Sequence, residues 1–148
     1  LLYGDIETHR SDGKQSIRAY RQWGSNQSMH WATLLLPQLP FKHSGTSFRR
    51  EAALEVGNYD ASFEKKIDID FFLKFLTQGK KLAHLGGKPL VLFHIHRDSI
   101  SQNRVAGLRS WRVIMDRYAP PGPLGWFFQA IRTISELLKS VYERVLVR

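Results

Sequence analysis

No cysteine occurs among the 148 residues, which excludes a disulfide scaffold and any thiolate metal site, and permits a reducing compartment. No serine or lysine nucleophile motif occurs either. Long apolar runs are also missing. The most apolar region, Leu124 to Val147, is interrupted by Arg132, Glu136, Lys139, Glu143 and Arg144, whereas a bilayer span needs about 20 nearly unbroken apolar residues. A transmembrane helix is therefore not expected. There is no internal repeat, no low-complexity tract, no initiator Met and no leader sequence, and the chain is expected to start in mid-protein. Acidic residues are in deficit, 13 against 22 Lys and Arg for a net charge of +9. That surplus implies an anionic neighbour: a nucleotide, a phospholipid surface or nucleic acid.

What the chain does contain suffices for a core, with 43% hydrophobic and 12% aromatic residues in a length of about one domain. A strand is expected over Leu1 to Thr8, a hairpin turn at Asp12-Gly13, and a second strand over Ile17 to Trp23. Met29 to Leu36 reads as a short helix stopped by Pro37 and Pro40. Ser47 is placed to N-cap a helix over Arg49 to Val56, with Gly57 as its left-handed stop. Ile67, Phe71, Phe72, Phe75 and Leu76 recur at helical spacing from Asp68 onward, and Gly79 ends that helix. Pro89 to His96 reads as a strand and Val105 to Tyr118 as a helix. After the breaker APPGPLG comes a final helix, striped by Phe127, Ile131, Ile134, Leu138, Val141 and Val145.

The chemistry-bearing residues concentrate between His43 and Ser101. Asp68 opens an apolar helix, where it serves either as an N-cap or as a carboxylate at the rim of a buried element, suited to general-base work. Asp70 falls in the first turn, where the helix dipole favours negative charge. His43 precedes Ser44 and Gly45, small residues that allow a ligand near the backbone. Arg49-Arg50 at a helix start oppose the dipole, which favours a phosphate clamp over a structural role. His94 and His96 share one face of their strand, Phe93 and Ile95 the other. His-x-His without a third ligand is a weak metal signal. His30 and His84 read as structural or solvent-facing, and Asp5-x-Glu7 as the solvated face of a strand rather than a metal motif.

Taken in order, the opening YGD, then H-SGTSFRR, VGNYDASF, IDIDFFLKFLTQGKK and FHIHRDSIS resemble the C-terminal half of the catalytic domain of inverting family-2 glycosyltransferases of the GT-A fold, over roughly residues 1 to 103. The resemblance implies an α/β fold, here a partial GT-A domain, followed by a helical amphipathic tail from 104 to 148. It implies transfer of a sugar from a nucleotide-diphosphate donor to a saccharide or lipid-linked acceptor hydroxyl, with inversion, in cell-surface polysaccharide or glycolipid synthesis. Asp68 matches the family's catalytic base, although Ile67 stands where many members have Glu. His43, Arg49, Arg50, Asp70 and Arg97 fall in substrate-binding segments, and His96 in the loop that helps hold a divalent metal, Mg or Mn, or the diphosphate. The nucleotide-binding half and its DxD motif would lie upstream of Leu1, so the chain alone is expected to be inactive.

The expected location is cytoplasmic, at the inner face of the membrane where the tail touches lipid. For that tail two readings stand: peripheral membrane contact through 124–148, or packing of the stripe on the body. Two other function classes were weighed. A nucleic-acid-binding module is suggested by the charge and by pairs such as Arg21 with Trp23, but the basic residues are dispersed and no nucleic-acid partner is expected. A metal-dependent hydrolase would draw on His43, His94, His96 and Asp68.

Overall fold

The structure, a computed structural model, describes residues 1–10, 12–36, 39–95 and 104–146. It is a mixed α/β arrangement. In chain order the elements are β1 (Leu2–Gly4), β2 (Ile6–Arg10), β3 (Gln15–Arg18), α1 (Asn26–Leu35), a 3-10 turn (His43–Gly45), β4 (Thr46–Ser47), α2 (Arg50–Glu55), α3 (Ile67–Thr77), β5 (Ala83–Leu85), β6 (Val91–Ile95), α4 (Arg104–Tyr118) and α5 (Pro123–Leu146).

The first expected strand is broken at Asp5, and each half joins a different three-stranded sheet. β1 pairs antiparallel with β4 and parallel with β5, while β2 pairs antiparallel with β3 and parallel with β6. The β2–β3 hairpin forms around the Asp12-Gly13 turn as its sequence requires, but β3 stops at Arg18, five residues short of Trp23. Asp5 is not on a solvated face. It is buried, and its Oδ1 accepts the Tyr20 backbone N–H at 2.8 Å and lies 2.9 Å from His84 Nε2. His84 is thus structural, and β5, which carries it, is a strand that no sequence pattern announced.

Around these sheets the helices build one aromatic core. α3 is its largest contributor, burying Ile69, Phe71, Phe72, Leu73, Phe75 and Leu76. Tyr59 stacks on Phe71 at 4.2 Å and Phe41 meets Phe72 edge-on at 4.6 Å, arrangements that add about 0.5–1.5 kcal/mol each beyond area burial. α1 begins three residues earlier than expected, because Ser25 and Ser28 form a reciprocal capping box. Ser47 does not cap α2. It pairs with Leu2 in β4, and Arg49 occupies the cap position without a side-chain bond. Gly57 and Gly79 take positive φ, 93° and 69°, and close α2 and α3 as left-handed stops. α3 starts after Lys66, itself at φ 59°, so Asp68 sits inside the first turn and not at the cap.

α4 is no appendage. Trp111, Ile114 and Met115 are buried in the same cluster as Tyr3 and Phe71, so the core crosses the expected boundary at residue 103. Of the two readings for α5, the described part of the stripe does not pack on the body. Phe127, Ile134 and Leu138 are 59%, 55% and 64% exposed, and the residues turned inward are Phe128 and Arg132. Val141 and Val145 lie beyond the described side chains. The rotation is fixed by contacts on the inner side: Phe128 packs edge-on against Trp31 of α1 at 5.3 Å. The Arg132 guanidinium lies 3.6 Å from the centre of the Trp111 ring, donates to the Leu36 carbonyl at the end of α1, and pairs with Glu136 Oε1 at 2.8 Å. Burial pushes the Arg132 pKa down to about 10, which still leaves it charged at neutral pH. A buried cation is tolerated only when paired in this way.

Candidate functional site

The first turn of α3 carries two carboxylates with opposite fates. Asp70 lies wholly inside, at 0% exposure. Its Oδ1 accepts hydrogen bonds from the Tyr118 hydroxyl at 2.8 Å and from Arg117 at 3.1 Å, both on the last turn of α4. Lys74 Nζ stands 3.1 Å from Oδ2 without the alignment of a hydrogen bond, so that contact is Coulombic. Arg117 also donates to Asp60 at 2.7 Å, and Asp60 accepts from the Ser62 hydroxyl and backbone N–H. Those Ser62 bonds first, and Arg117 after them, hold the Asp60 carboxyl far below the usual carboxylate range. Burial, reinforced by Asp70, raises the Tyr118 phenol well above its ordinary value. Asp70 was expected to bind substrate. Its place is instead in a clasp joining α3 to α4, away from any surface that a substrate could reach.

Asp68 is partly exposed, and its Oδ1 accepts the Ile69 backbone N–H at 3.0 Å. Its charge acts on Tyr59, whose phenol is raised by burial first and by Asp68 second. The Tyr59 hydroxyl is 3.0 Å from Nε2 of the exposed His43, with the direction of that bond set by the histidine tautomer. His43 and Tyr59 therefore meet although 16 residues of sequence separate them, with the Asp68 charge near enough to act on the Tyr59 phenol. Tyr59 was missed as a site residue. The clue was its position in the VGNYDASF segment, and only the fold brings its hydroxyl to His43.

The other expected residues scatter. Gly45 does leave room near the backbone, but a Cβ there would meet Ile6 at 2.9 Å and the Gly4 carbonyl at 3.0 Å. The missing side chain accommodates the sheet and not a ligand. Arg49 and Arg50 are exposed at the start of α2. Arg49 is close enough to the α-amino group of Leu1 to disfavour its charge, though burial does more. His96 and Arg97 lie outside the described residues.

Among the described residues, His43, His94 and Asp68 of the hydrolase set form no metal-holding group. His43 packs with Tyr59 and Phe72. Lys42 beside it reaches the Phe93 ring, so alternation along β6 turns His94 to the other face, where its ring lies 5.5 Å from that of His9. His30 is buried, with Nε2 2.9 Å from the Tyr118 carbonyl, and burial lowers its pKa.

Among the described residues, no group of three or more His, Asp or Glu is positioned to hold a metal ion. Two surface cavities, of 340 and 160 Å³, adjoin α4, the larger reaching Arg132 and Glu136 and the smaller Phe63 and Ser110. Neither is lined by Asp68 or His43. No helix among the described residues is long and apolar enough to cross a membrane. No protein family, curated protein or solved structure matches this chain.

Proposed function

We propose that the chain carries the acceptor-side half of an inverting sugar transferase of GT-A type, with Asp68 as the general base. The observation that supports this reading is the partly exposed Asp68 in the first turn of α3, with the hydrogen-bonded pair His43 and Tyr59 close enough for its charge to act on the Tyr59 phenol. A sugar hydroxyl is a poor nucleophile at neutral pH, and a positioned carboxylate that takes its proton lowers the barrier. In the proposed step the acceptor oxygen bonds to the anomeric carbon as the bond to the nucleotide diphosphate breaks, and the acceptor proton passes to Asp68. Tyr59, kept protonated by burial and by the neighbouring negative charge, supplies a hydrogen bond that orients the acceptor or His43. Exposed Arg49 and Arg50 supply positive charge for a diphosphate. The described residues do not fit a Mg or Mn site, and no step is assigned to a metal.

The test is nucleotide-sugar turnover by the intact polypeptide that contains these residues, compared with Asp68→Asn. A loss of about 10²–10⁴-fold at unchanged melting temperature is expected. Retained turnover would remove Asp68 from the mechanism. Calorimetry on the 148 residues alone is expected to give no tight nucleotide-sugar binding, and tight binding would contradict a divided donor site.

A further inference from the structure

Over 123–138, where its side chains are described, the outer face of α5 is apolar and uncharged. Over 123–138 the charged residues are Arg132 and Glu136, and these pair with each other on the inner side. Outside stand Leu124, Trp126, Phe127, Ile134, Leu137 and Leu138, each more than half exposed and Trp126 as much as 73%. Their positions follow helical spacing, so they form one arc on the side opposite Phe128 and Arg132. Six large side chains in one arc exceed the scattered exposure of an ordinary surface. The segment around this arc is basic, with eight Lys and Arg against three Asp and Glu from 104 to 148. Arg109 and Arg112 on α4 are exposed.

We propose that α5 lies flat on an anionic lipid bilayer, with Trp126, Phe127, Ile134 and Leu138 in the headgroup–acyl boundary and the basic residues of the C-terminal segment drawn to lipid phosphate. The chemistry is that of an interfacial helix: apolar area and ring side chains enter the boundary, and cations near the surface add about 1 kcal/mol each. A protein partner would call for polar groups at the rim of the patch. From 123 to 138 the exposed face carries no charge, and the net positive charge of the C-terminal segment complements an anionic lipid surface. Arg132 takes no part in lipid contact, since it is the internal peg that sets which way the arc points.

The test is co-sedimentation of the full chain with phosphatidylcholine vesicles, with and without phosphatidylglycerol. Binding is expected only to the anionic vesicles, weakening as salt rises. The combined variant Phe127→Ser, Ile134→Ser, Leu138→Ser is expected to lower the partition coefficient by about tenfold or more, while Ile17→Ser, equally exposed on β3, leaves it unchanged. Quenching by lipids brominated in their chains should disappear in Trp126→Phe. The proposal fails if the wild type stays in the supernatant, if neutral vesicles bind it equally, or if the triple variant sediments like the wild type. It also fails if light scattering shows a lipid-free dimer that the triple variant dissolves, which would give the arc to a second copy.

Discussion

α3 and α5 are both rich in large apolar residues, and the fold treats them oppositely. α3 buries its aromatic face and takes in a carboxylate as well, whereas α5 turns its arc outward and buries an arginine. The difference lies in what each ion finds inside. Asp70 meets Tyr118, Arg117 and Lys74, and Arg132 meets Trp111, Glu136 and the end of α1. Periodicity of apolar residues selects a face only when no paired charge competes to anchor the other one.

Substitutions along the two helices test this contrast directly. Phe71→Ala, at 0% exposure in α3, is expected to cost about 3–5 kcal/mol in denaturant unfolding. Asp70→Asn should cost about 2–4 kcal/mol, below the toll of most severed buried pairs, because Arg117 and Lys74 can still reach water. A neutral outcome would mean that the clasp adds nothing to the packing.

Acid should loosen the structure in two stages. His30 has a lowered folded-state pKa, so the unfolded chain binds its proton first and stability falls as the pH drops below about 6.5. Asp60, also lowered, contributes fully above the ordinary carboxylate pKa, and that contribution is lost at more acidic pH. Thermal melts between neutral and acidic pH should lose the upper stage in His30→Gln and soften the lower one in Asp60→Asn. The smallest effect belongs to α5: Phe127→Ser should change stability by no more than about 0.5 kcal/mol. If it matched Phe71→Ala, the contrast between the helices would be void.

Much of the local structure was legible because its causes are local. The Asp12-Gly13 turn, the glycine stops at 57 and 79, and the runs that became α3 and α4 each follow from a few neighbouring residues. What escaped depends on partners far along the chain. Asp68 and Asp70 look alike in sequence, and only Arg117 and Tyr118, 47 and 48 residues beyond Asp70, make the second an interior group. Tyr59 gained its place from His43 and Phe71, 16 and 12 residues away. The stripe of α5 was legible as a stripe, but which way it faces was not, since nothing near Arg132 in sequence announces Trp111 or Leu36.

The interruption at Asp5 has a geometric consequence. Tyr3, Gly4, Asp5 and Ile6 are all buried, so the stretch is covered on both faces where it passes from one sheet to the other. Tyr3 joins the aromatic cluster and Ile6 does not, so one extended stretch serves two sheets with different neighbours. A residue inserted or removed there would throw the second sheet out of phase with the first while leaving every hydrophobic residue of the chain in place.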